Sequence, residues 1–246
     1  MGLFTFFKQL KQKQKERAIS KNTKLIQNPK AIREERVSAI EYFKNLGDPK
    51  IAVPTLLKRF EYSLDHGIND TREKESTMEG ILSFGDKALP FVKEHLIQST
   101  RIAWPIKIFQ KLASEDRVAS ALESCLFLRD FDFDRDKIDK NYDILCYLRD
   151  YTLPDKGRSL APLIEALDER VRFATVEVLL TQGEPELLEK LERFLTDTSA
   201  ENTRVHQVVV DAFVDKGWVT KTLSLADGTQ LAPGVFFTKE RRLRRA

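Results

Sequence analysis

Three histidines, two cysteines and one dense run of aspartates are the residues of this chain best equipped for chemistry. His66, His95 and His206 are scattered, and no HExxH or HxxxH spacing brings two of them onto one helix face. A zinc or iron site built on helices needs such pairs, and the nearest feature is the single Glu94-His95 step. Cys125 and Cys146 stand 21 residues apart, with no Cys-x-x-Cys and no adjacent histidine to activate a thiolate. Two buried, reduced thiols are expected. In FDFDRDKIDKNYD, residues 131–143, Asp132, Asp134 and Asp136 fit the first three ligand positions of a calcium loop. Lys137 then replaces the glycine of the sharp turn, and Asp143 replaces the bidentate glutamate. The reading is a loop whose aspartates cap a helix starting near Lys137; an acidic partner-binding loop, with Phe131 and Phe133 exposed or half-buried, is the alternative. No two glycines are two apart, which excludes G-x-G-x-x-G, and neither G-K-[ST] nor G-x-S-x-G occurs. The expectation is therefore a non-enzymatic protein with no catalytic residues, no metal and no cofactor.

The elements around these residues follow from composition. Charged residues make up 32% of 246, above the usual quarter, and Gly plus Pro number only 19, which favours long exposed helices. The longest stretch free of charge, Gly228–Thr238, has 11 residues, short of the ~20 that span a bilayer. The opening MGLFTFFKQLKQKQKER puts apolar residues before charges, the reverse of a secretory signal, and a cytoplasmic location is expected. Gly2 lacks the Ser/Thr that a myristoylation motif wants at position 6, which is Phe6. The net charge of +3 divides unevenly: +7 in residues 1–30, +4 in residues 239–246, and −8 in the body between them.

A period in the mid-thirties organises the body. Arg33–Phe60, Lys74–Ile97 and Glu169–Leu195 each read as a helix ending near glycine, a short turn, and a second helix. The turns are Gly47-Asp48, Gly85-Asp86 and Gly183-Glu184, where glycine suits the left-handed helix end and the acid can cap the next helix. Pro54, Pro90 and Pro162 open the apolar runs AVPTLL, ALPFV and LAPLI, so each second helix is expected to start just before its proline. Residues 101–129 and 137–167 read as two degenerate pairs, with Trp104-Pro105 packing the core of a kinked helix. TRVHQVVVDAFVDKG repeats RVRFATVEVLLTQG 34 residues on. Apolar residues fall at i, i+3, i+4 and i+7, and strand alternation is absent before residue 217.

The grammar RVRxAxxEVL, then Gly-Asp/Glu-Pro, then an apolar run resembles HEAT repeats, above all the short bacterial subtype first noted in phycobilin-lyase proteins. The resemblance covers residues 31–217. It implies an all-α fold: a right-handed α-solenoid of about five to six helix pairs, with a short C-terminal hairpin or irregular cap. It does not fix function, because HEAT proteins include scaffolds, transport factors, chromophore lyases, an iron hydroxylase and DNA glycosylases. The domain reading is a basic amphipathic N-terminal helix or arm (1–30), the solenoid (31–217) and a cap with a basic tail (218–246). Asp227-Gly228 marks the hairpin turn, Trp218, Leu225, Phe236 and Phe237 shield the last helix, and KERRLRRA is a solvated tail.

In the HEAT family the second helices line the concave face. Lys58, Lys93, Glu94, Glu192 and Arg193 fall there and are the candidate protein-partner site. With Leu57, Glu165 and Ala166 at equivalent positions the signs are mixed, so no basic stripe for nucleic acid forms, and the lyase and nucleic-acid readings rest on family analogy. The alternative function is a membrane-surface adaptor through Phe4, Phe7, Lys8 and Lys11 at the amphipathic start of the chain. Its competitor is a helix that docks its phenylalanines on the first repeat.

Overall fold

The computed structural model describes residues 3–246, with side chains from residue 7 onward. The fold is predominantly helical, and its contacts divide the chain into two compact units, 1–114 and 115–246. That division falls inside the pair expected over 101–129.

The first unit contains α1 (Leu3–Gln27), α2 (Arg33–Lys44), α3 (Pro49–Leu57), α4 (Gly67–Leu82), α5 (Leu89–Gln98) and α6 (Ala103–Leu112). Helix α2 buries Ala39, Ile40 and Phe43 on one stripe, and Glu34 and Glu35 in its first turn favour the positive end of its dipole. Helix α3 begins at Pro49, not beside Pro54 as expected from the sequence. Asp48 accepts the Lys50 N–H as a cap and Pro49 takes the first helical position, so the start signal lies five residues earlier. Pro54 sits inside this short helix, which tightens into a 3₁₀ turn over Lys58–Glu61. Pro90 does open α5. Pro105 falls in the first turn of α6, where it needs no hydrogen bond and no kink, and Trp104 stacks on Phe60 at 5.8 Å.

The second unit contains α7 (Glu115–Glu123), α8 (Arg135–Leu148), α9 (Glu169–Gln182), α10 (Pro185–Leu191) and α11 (Thr203–Lys216). Asp134 caps α8 on the Lys137 N–H, as read from the aspartate run. Phe131 is buried, whereas Phe133 is 97% exposed. Residues 158–165 form a 3₁₀ helix rather than an α-helix. Asp155 binds the N–H groups of Gly157 and Ser159 there, and Pro162 offers no N–H to continue an α-helical ladder. Helices α9 and α11 start 34 residues apart, and both end on a left-handed glycine, Gly183 at φ 65° and Gly217 at φ 60°. Val171, Val178, Leu179, Val205, Val209 and Phe213 supply their buried faces.

The C-terminal segment departs from the sequence reading. β1 (Gln230–Ala232), β2 (Val235–Phe237) and β3 (Leu243–Arg245) form an antiparallel sheet in the order β1-β2-β3. The β1–β2 turn holds Pro233-Gly234 instead of Asp227-Gly228. RRLRRA is not a solvated tail: Leu243 is 2% exposed and pairs with Phe237, and β3 packs on α11. Phe237 is buried, Trp218, Leu225 and Phe236 are half-buried, and Trp218 meets Phe213 edge-on at 5.4 Å.

Candidate partner-binding groove

In the first unit, α3 and α5 pack side by side and leave a groove of about 370 Å³. Each helix turns its buried stripe to the core, Ala52, Val53 and Leu56 on α3 and Leu89, Val92 and Leu96 on α5. The neighbouring face of each is then left for the groove. Positions 54, 57, 58 and 61 line one side, and 91, 94, 95 and 98 the other, each set at the three-to-four spacing of one helix face. Pro54, Leu57 and Phe91 make an apolar floor, and Lys58, Glu61, Glu94 and Gln98 make a charged and polar rim. His95 Nε2 stands 3.0 Å from Glu61 Oε1, an ion pair whenever the imidazole is protonated.

The expected partner site is therefore divided. Lys58 and Glu94 share this groove, and Lys93 is exposed on α5 outside its lining. Arg193 lines a groove of about 390 Å³ in the second unit with Ala161, Pro162, Ile164, Glu165 and Lys190. There Arg193 pairs with Glu165 at 2.7 Å and lies 4.6 Å from the Phe194 ring centroid. The two grooves have a similar construction: a proline-bearing segment on one side and, on the other, a helical segment that comes after one intervening α-helix.

Glu192 belongs to no exposed surface; it is 2% exposed. One carboxylate oxygen accepts the Lys221 N–H at 2.6 Å, and the other accepts the N–H groups of Thr222 at 2.7 Å and Leu223 at 2.9 Å. Burial pushes this carboxyl up, but the Thr222 hydroxyl and those three N–H groups together hold it below its ordinary value. Its work is to tie the C-terminal segment to the end of the preceding helix pair.

A second cluster escaped the sequence reading altogether. Glu73 on α4 accepts Nη2 and Nε of the Arg36 guanidinium, at 2.9 and 3.0 Å, and also Arg59 Nε at 3.1 Å. Arg59 reaches Asp70 at 2.7 Å, and Lys74 reaches the other Asp70 oxygen at 2.7 Å. All five side chains are buried. Burial raises the Asp70 carboxyl, but Lys74, Arg59 and the Leu64 N–H bring it below the carboxylate range. The signal was present: Asp70, Glu73, Lys74, Thr77 and Ile81 occupy the buried stripe of α4, where a helix of this kind normally carries apolar residues. The cluster clamps α2, the 58–61 turn and α4.

The aspartate loop is likewise committed to the fold. Asp132 accepts the Leu167 N–H, Asp134 caps α8, and Lys137 reaches the Asp130 carbonyl. Among the described residues no group of three or more His, Cys, Asp or Glu is placed to hold a metal ion, and no helix is long and apolar enough to cross a membrane. Cys125 is buried and Cys146 half-buried, and neither is in a disulfide. His206 is buried with Nδ1 2.8 Å from the Phe194 carbonyl. Of the membrane-surface set, Phe7, Lys8 and Lys11 are exposed, and the Phe4 side chain lies outside the described residues.

Comparisons with family models, with curated proteins and with solved structures return no match for this chain.

Proposed function

We propose that this chain is a non-enzymatic adaptor built as a HEAT-like right-handed α-solenoid, and that it binds a protein partner in the groove between α3 and α5. The observation that carries the reading is the groove itself: an apolar floor of Pro54, Leu57 and Phe91 inside a rim that mixes Lys58 with Glu61 and Glu94. Such a lining suits a polypeptide segment that buries an apolar side chain and sets a basic group against the two glutamates. The 34-residue return of α9 as α11, and the similar groove at Arg193, support a repeated architecture. A photoreactive amino acid at Phe91 should cross-link to one protein in native extract, and the double variant Lys58→Glu, Glu94→Lys should abolish that product. An equal yield from a probe at exposed Glu115 on α7, or persistence of the product in the double variant, would refute the groove as the binding site.

A further inference from the structure

We propose that the first exposed turns of α1 dock the protein on an anionic lipid bilayer. The inference is independent of the groove. From Phe7 to Arg17 every residue of α1 is exposed, with Phe7 at 53% and Leu10 at 44%. The same helix packs on its unit only further along, through half-buried Ile19, Asn22, Thr23 and Leu25 and fully buried Ile26. At 3.6 residues per turn, Leu10 lies about 170° around the axis from Ile19 and Ile26, whereas Phe7 falls on the line of Leu25, about five turns further on. Leu10 is thus turned away from the face that packs, and Phe7, well before Leu25, stands beyond the packed part of the helix and is more than half exposed.

The base of this helix is held firmly. The Tyr62 hydroxyl donates to the Ile26 carbonyl at 2.6 Å, and Arg36, fixed by Glu73, donates to the carbonyls of Pro29 and Ala31. The exposed turns project about 16 Å from that base at 1.5 Å per residue.

Charge selects the surface they meet. Lys8, Lys11, Lys13, Lys15 and Arg17 stand against one acid, Glu16, which already accepts from Gln12 at 2.9 Å. Around the axis, Lys8, Lys11 and Lys15 flank the apolar pair on one side and Lys13 and Arg17 on the other. In the sequence, Leu3, Phe4 and Phe6 precede them, so apolar residues come first and cations follow. An aromatic-aliphatic tip enters the headgroup region while long basic side chains reach lipid phosphates and carboxylates behind it. A nucleic-acid backbone would reward the cations but not the exposed Phe7 and Leu10. The other basic end differs. Arg245 pairs with Asp211, and Arg241 donates to the Leu223 carbonyl, within the fold.

The test is cosedimentation of the full chain with phosphatidylcholine vesicles, with and without phosphatidylserine. Binding is expected only with phosphatidylserine and is lost at high salt. Two variants, Lys8→Gln with Lys11→Gln and Lys15→Gln, and Phe7→Ser with Leu10→Ser, should each lower partitioning about tenfold or more. All five positions are exposed, so circular dichroism and melting temperature should be unchanged in both. The proposal is overturned if the intact protein ignores both vesicles or if either variant binds like the parent. A loss confined to the lysine variant, with duplex DNA bound equally well, would mark a plain polyanion site instead.

Discussion

At the scale of single residues, two buried glutamates carry more of this protein than any exposed charge. An exposed pair such as Arg135–Asp139 contributes little, because water screens it and two side chains must be ordered. Glu192 is different, since its carboxylate satisfies three N–H groups of residues 221–223 that have no ladder partner in a strand or helix. Its carboxyl is held below its ordinary value, so the stabilisation is fully present above the unfolded-state pKa and disappears as pH falls through the lower folded value. Glu192→Gln should therefore cost about 2 kcal/mol at neutral pH, the range for hydrogen bonds to a charged group. The difference from the parent should shrink as the solution is acidified below about pH 4. In a Trp104→Phe background Trp218 is the single tryptophan, and its emission during denaturant titrations at several pH values reads the effect. A penalty that stays constant with pH would mean that residue 192 acts through shape rather than charge.

At the scale of elements, what the sequence disclosed was what local chemistry determines. Helices α9 and α11 were legible because Asp168 caps one, glycine ends both, and their apolar stripes repeat at a fixed distance. The start of α3 was misplaced because Asp48-Pro49 and Pro54 compete as signals, and a cap beside an N1 proline outweighs a later proline. Strand β3 was illegible. RRLRRA has a single large apolar residue and reads as a tail; only its pairing with Val235–Phe237 and its packing on α11 make it a strand. The candidate site behaved similarly. Period placed Lys58 and Glu94 on one kind of surface, but Glu61 and His95 meet them only through the packing of α3 on α5. Glu192, one position from exposed Arg193, could not be told from it by spacing, because the segment that buries it comes 29 residues later. The reassignment of β3 has a measurable consequence. Leu243→Ala removes a fully packed side chain and should lower stability by about 2–4 kcal/mol, within the range for buried leucines. A thermal or chemical melt decides it; a solvated tail would tolerate the change with no shift.

At the scale of the whole molecule, the contacts define two compact units with cores of different character. The first adds to its apolar core the ion cluster of Arg36, Arg59, Asp70, Glu73 and Lys74, and the second has aliphatic stripes closed by the C-terminal sheet. A buried ion cluster is costly to assemble and costlier to break singly, because each charge removed leaves its partner desolvated. Two guanidinium groups converge on Glu73, so Glu73→Ala strips Arg36 of its carboxylate partner, leaves Arg59 with Asp70 alone, and should destabilise the first unit by about 3–5 kcal/mol. If each unit stands on its own core, that loss is local. Native-state hydrogen exchange should then show amides of α2 and α4 losing protection while those of α9 and α11 keep theirs. A linear repeat array predicts the same pattern, since stability there is summed from units and nearest neighbours rather than shared throughout. An equal fall in α9 and α11 would mean that residues 1–246 unfold as one cooperative body, and the repeat reading would lose its energetic basis.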